Sequence, residues 1–97
     1  MATLEATTVS ASTTEEFTPT AFDTLNGLES CSYHTISITG AGTATISFKF
    51  ADQTVFQVAA SGVSGDYNTY FGRGVSEIQI EETGASDVVV SINSWSE

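Results

Sequence analysis

An antiparallel all-β fold is what this 97-residue sequence predicts: a β-sandwich or flattened barrel of about six to eight strands with an extended N-terminal segment. Three observations carry that expectation. Thr, Ser, Val and Ile dominate, and no stretch keeps a 3.6-residue apolar period, so helix signals are poor throughout. Two stretches alternate apolar and polar residues with period two, each broken once by a glycine-containing turn. The candidate strands are short and the turns between them are regularly spaced, as in sandwiches.

Taken in chain order, Leu4 to Ser12 and Phe17 to Phe22 read as strands, and Asn26-Gly27 is a turn signal. Residues 1–30 are rich in Thr, Ser and Ala with widely spaced apolar residues. They form either edge strands or an arm that orders against a partner. Residues 31–97 read as the sandwich proper. Ile36 and Ile38 alternate with Thr35, Ser37 and Thr39 before Gly40-Ala41-Gly42, and Ala44, Ile46, Phe48 and Phe50 alternate after it. A hairpin with that loop sets Ile38 opposite Ala44, Ile36 opposite Ile46 and His34 opposite Phe48, with every apolar residue on one face. Thr54 to Ala60 is a further strand, Ser61 to Asn68 a connection, and Thr69 to Phe71 opens a strand leading past Gly72-Arg73-Gly74. A second hairpin turns at Thr83-Gly84-Ala85, setting Glu82 opposite Ser86, Ile80 opposite Val88 and Ile78 opposite Val90.

Composition narrows the function. One small domain uses up the chain, and a core of this size buries only about two-thirds of the unfolded surface, which makes self-association an expectation. Lys49 and Arg73 face twelve carboxylates, for a net charge of −10. That surface repels phosphate backbones and anionic lipids, so neither nucleic acid nor membrane is an expected partner. Met1 to Glu5 lack the basic and apolar regions of a signal peptide, and no apolar run nears the ~20 residues of a membrane helix. The expected protein is therefore made in a cytoplasm and carries no export signal.

Chemistry-bearing residues are sparse, and no catalytic residue or cofactor is expected. Cys31 is alone, which excludes an internal disulfide and a cysteine-based zinc site. His34 lacks partner ligands and an oriented nucleophile, and reads as a core or rim histidine. Glu15-Glu16 and Glu81-Glu82 are neighbours that point to opposite faces of a strand, so adjacency does not make them a glycosidase pair. The second hairpin's register sets Glu81 across from Asp87 with Glu82 beside them. Full solvation is the preferred reading of that end and a calcium ion the alternative, because the dense Asp/Asn/Gly ladder of dedicated calcium loops is missing. Asp66-Tyr67-Asn68 is a still weaker calcium candidate. The same register sets Arg73 against Trp95, with the guanidinium across the indole. Arg73, Trp95, Tyr70 and Phe71 are thus candidates for a binding patch, since aromatics and arginine anchor interfaces.

The run from Tyr33-His34-Thr35 to Gly40-Ala41-Gly42-Thr43-Ala44-Thr45-Ile46, with the closing Ile78-Gln79-Ile80 and Val88 to Ile92, resembles small β-sandwich proteins of tailed-phage particles. The resembled family includes capsid decoration or cement proteins, and the likeness spans about two-thirds of the chain. It departs after Phe48, where Ala51-Asp52-Gln53-Thr54 replaces the family's usual turn. What the resemblance implies is a virion structural protein bound outside the capsid, often as a trimer, reinforcing contacts between subunits of the major capsid protein. Phe17 and Phe22 are the anchors expected from the N-terminal segment. A carbohydrate-binding or adhesin module is the alternative, with Trp95, Tyr67, Tyr70 and Phe71 as its stacking platform; a tail or baseplate component is another.

Overall fold

A computed structural model describes residues 2–18, 23–24 and 31–96. They form nine strands: β1 (Ala2–Val9), β2 (Thr14–Phe17), β3 (Asp23–Thr24), β4 (Tyr33–Gly40), β5 (Ala44–Phe50), β6 (Gln57–Val63), β7 (Gly65–Tyr70), β8 (Val75–Glu82) and β9 (Val88–Trp95). β3 is a two-residue stub. One sheet has the order β3-β1-β9-β4-β7 and the other β2-β8-β5-β6, with all pairings antiparallel. The all-β sandwich expected from the sequence is therefore the fold, and it is open at its edges rather than closed into a barrel. Among the described residues no helix is long and apolar enough to cross a membrane.

Both expected hairpins are corrected. β4 and β5 lie in different sheets, as do β8 and β9, and they exchange partners: Ile36 pairs with Ile92, Ile38 with Val90, Ile46 with Ile80 and Phe48 with Ile78. The glycine turns are arches that carry the chain across the core. A hairpin and an arch leave the same alternation in sequence, because each strand buries one face and wets the other whichever sheet holds its neighbour. The isoleucines still point inward. Ile36, Ile46, Ile78, Ile80 and Ile92 are fully buried and Phe48 nearly so, each such side chain stabilising the fold by roughly 1.5–3 kcal/mol.

Arching is general. β1 to β2, β4 to β5, β6 to β7 and β8 to β9 all step from one sheet to the other, and these four arches stack in the order β1/β2, β9/β8, β4/β5, β7/β6. β5 and β6 are the only consecutive strands that pair among the described residues. The expected strand at Thr54 to Ala60 starts later, as β6, and the expected connection at Ser61 to Asn68 holds the end of β6 and most of β7. Residues 2–18 belong to the sandwich: β1 pairs along β9, β2 is an edge of the second sheet, and Ala2, Leu4, Val9 and Phe17 lie in the core.

At the arch end a buried carboxylate joins three turns. Glu82, 1 % exposed, accepts the Ser12 backbone N–H (3.0 Å), that of Gly84 on both oxygens (2.9 Å each), and that of Thr43. Its own N–H donates to the Thr13 carbonyl at 2.9 Å. Ser12, whose φ is +58°, donates from Oγ to the Gly84 carbonyl at 2.6 Å, and Asp87 accepts the Ala11 N–H at 2.8 Å. The Ser12 N–H, with those of Gly84 and Thr43, holds the Glu82 carboxyl below the usual range against the opposing effect of burial. Two glycines make this closeness possible. Gly40 has φ +103°, and a Cβ on Gly42 would lie 2.5 Å from the Ser86 carbonyl oxygen and 2.9 Å from Glu82 Oε2.

Gly42→Ala is expected to destabilise the domain by roughly 1–3 kcal/mol in chemical denaturation, while Gly72→Ala, where an added Cβ meets nothing within 4 Å, leaves the midpoint nearly unchanged. Glu82→Gln is expected to lower the midpoint clearly more than Glu81→Gln at the exposed neighbour. Because the folded Glu82 pKa is depressed, its contribution is complete above the unfolded carboxylate pKa and fades as pH falls through the folded value. The gap between Glu82→Gln and the parent therefore narrows in acid.

Candidate functional site

Strands β9, β4 and β7 present their outward side chains in register, as rows across three neighbouring strands. Trp95, Tyr33 and Tyr70 form the first row, Asn93, Thr35 and Asn68 the second, and Ser91, Ser37 and Asp66 the third. The rings touch: Tyr33 and Trp95 stack with centroids 5.6 Å apart and planes within 10°, and Tyr33 and Tyr70 are tilted at 4.7 Å. Below them Thr35 Oγ1 donates to Asn68 Oδ1 at 2.7 Å and Ser37 Oγ to Asp66 Oδ1 at 2.9 Å. A groove of about 340 Å³ opens here, lined by Tyr33, His34, Thr35, Asn68, Thr69, Tyr70 and Trp95.

Charge is unevenly placed: the rows across β9, β4 and β7 are nearly free of it, although exposed Glu5 stands on β1 of the same sheet. Within these rows Asp66 is the one charged side chain. On the outer side of the other sheet lie Glu16, which accepts from Gln79 Nε2 at 3.0 Å, exposed Glu81, and Glu77 paired with Lys49. The aromatic face is thus nearly neutral on a strongly acidic domain, and desolvating it on contact with a partner costs least there.

Beneath the rows lies His34. The imidazole is fully buried, with Nδ1 2.7 Å from Ser94 Oγ and the ring packed near Phe48 and Phe71 at centroid distances of 5.4 and 5.9 Å. Its Nε2 is buried without a hydrogen-bond partner. Burial lowers its pKa to about 4, so the ring is neutral at pH 7 and braces the floor of the site rather than serving it chemically. His34 and Phe48 do meet, as expected, but across the core instead of side by side in a sheet.

The sequence-expected site residues divide. Tyr70 and Trp95 lie together on the outer face, joined by Tyr33, which the sequence reading did not include. Phe71 faces inward, edge-on to Phe48 and Phe50 at 4.8 and 4.9 Å, and Tyr67 packs against the core. Arg73 does not cover Trp95: it pairs with Asp52 and sits 4.5 Å from the centroid of Phe50. Its guanidinium holds the Asp52 carboxyl below the usual range. Phe17 is a core residue and is not available as an anchor; Phe22 lies outside the described residues. The end expected to be fully solvated, with calcium as the alternative, is corrected in its geometry: Glu82 is buried, not solvated. Glu81 is opposite Thr14 and Thr45 rather than Asp87, while Glu82 and Asp87 spend oxygens on backbone N–H groups. Among the described residues no three metal-ligating side chains come together. No family model, curated protein or solved structure matches the chain.

For a base whose folded pKa lies below its unfolded value, the unfolded chain binds the extra proton, so His34 costs stability as pH falls from about 6.5 towards 4. The full span is worth roughly 3 kcal/mol. Proton NMR is expected to show the His34 ring neutral down to about pH 4, and a His34→Gln variant is expected to lose that part of the slope of stability against pH.

Proposed function

We propose that this domain is a non-catalytic virion structural protein of the capsid-decoration type, which docks on the outside of the shell through the face formed by β9, β4 and β7. The observation that carries the reading is the row Trp95-Tyr33-Tyr70 on the nearly uncharged side of an otherwise acidic domain. Large aromatics at the centre of a low-charge surface are what protein interfaces use as anchors. Because Tyr33 and Trp95 stack on each other, a partner meets ring edges, the phenol hydroxyls and the indole N–H as well as ring faces, a mixture suited to a folded protein surface. The function is mechanical: repeated docking bridges neighbouring capsid subunits, and each weak contact is multiplied over the shell. The non-catalytic part of the reading is supported by His34, whose neutral ring is enclosed by Ser94, Phe48 and Phe71 and has no exposed edge.

A carbohydrate-binding module is the second reading, favoured by one observation: the amide and hydroxyl row Asn93-Thr35-Asn68 lies directly beside the rings. Sugars are bound by ring faces flanked by such groups. The two readings separate in one set of measurements. Wild-type protein is expected to co-sediment with native particles stripped of it, and Trp95→Ala, which leaves the buried core intact, to bind at least about tenfold more weakly. Binding to a glycan array that Trp95→Ala abolishes, with no co-sedimentation, would replace the first reading with the second.

A further inference from the structure

We infer that two copies of this chain associate side by side through the β6/β7 arch, continuing both sheets across a two-fold axis. Among the described residues no strand pairs along the outer side of β6 or of β7. That flank of the sandwich therefore presents two strand edges, one above the other, with unpaired backbone groups ready for another strand.

Side chains on this flank lack the devices that normally keep such an edge alone. Residues 54–65 carry no charge, and Asp66 is the one charged residue from there to Gly72. Among the described residues the three large hydrophobic side chains that are exposed, Val55, Val58 and Tyr70, all lie in β6, β7 or the segment leading into β6, at 63, 66 and 55 % exposure. β6 is irregular against β5, but β7 keeps an unbroken register with β4 from Tyr33↔Tyr70 to Ile38↔Gly65. The regular edge is thus β7, with Val58 of β6 in the other sheet.

The occupant follows from charge. A second copy brings the same net charge of −10, so it can approach closely only where that charge is absent, and this flank is such a place. The opposite flank is guarded: β2 carries exposed Glu15 and Glu16 along its edge, and β1, paired with β3 only at Ala2 and Thr3, carries exposed Glu5. One competent edge per copy gives a closed, isologous pair rather than a filament. A two-fold perpendicular to the sheet sets each residue opposite one on the same face, and an antiparallel β7 pair centred on Tyr67 then sets each Asp66 opposite Asn68 of the other copy, so the two carboxylates are not direct partners. The arrangement leaves the Trp95 end of the aromatic row uncovered, and it stands or falls independently of what that row binds.

Sedimentation equilibrium of the full chain tests this. The expected result is a reversible two-copy species whose dissociation constant rises at least tenfold in Val58→Glu, with far-ultraviolet circular dichroism unchanged, and stays within about twofold in Thr14→Glu, which adds the same charge on β2. A monomer at every concentration overturns the inference. So does a three-copy species, or a dimer that Thr14→Glu breaks and Val58→Glu spares, since either places the contact elsewhere.

Discussion

One carboxylate fixes the geometry of the arch end. Glu82 is buried, yet it is not an uncompensated charge, because the backbone donors of Ser12, Gly84 and Thr43 converge on it. These three residues belong to three separate arches, and the backbone groups of such turns would otherwise lack partners away from solvent. The interaction thus sets the separation of the two sheets at that end and the order in which the arches stack. Gly40 and Gly42 follow from it, since side chains there would hold the turns apart. From there β4 and β9 run in unbroken register to the far end of the sheet, where they align Tyr33 with Trp95.

That chain of dependence explains what the sequence made legible. Alternation identified β4, β5, β8 and β9 and assigned each isoleucine its face, because burial on one side is a local pattern, whereas β1 fell in a segment read as edge strands or an arm and most of β7 in a connection. It was silent on sheet membership. Gly40-Ala41-Gly42 and Thr83-Gly84-Ala85 look alike as hairpin loops and as arches, and the decisive groups are Glu82 and the backbone of Ser12, seventy residues apart. Tyr33 was missed for the same reason. Its place on the polar side of β4 was readable from Thr35 and Ser37, but its neighbours Trp95 and Tyr70 come from strands the hairpin reading had paired otherwise. Phe17 and Phe71 were misassigned because a lone aromatic in a weakly patterned segment carries no signal of which face it occupies.

Charge placement divides the labour of the surface. Glutamates occupy the outer side of the β2-β8-β5-β6 sheet and the β2 edge, where like charge opposes contact with another copy. Both basic residues are spent locally, Lys49 on Glu77 and Arg73 on Asp52. The rows across β9, β4 and β7 and the flank of β6 and β7 are left nearly neutral, so the placement of charge marks out where contact costs least.

β9 lies between β1 and β4 in the completed sheet. Strands separated by most of the sequence must therefore find each other before that layer exists, and β1 and β4 have no direct pairing to fall back on. Such a topology delays cooperative folding until residues 88–95 are available to pair, and it makes the search for native contacts slow for a molecule of this size. Emerging chains would spend that interval with β1 and β4 bare along the sides that β9 later fills, the period in which a nascent-chain chaperone would matter most.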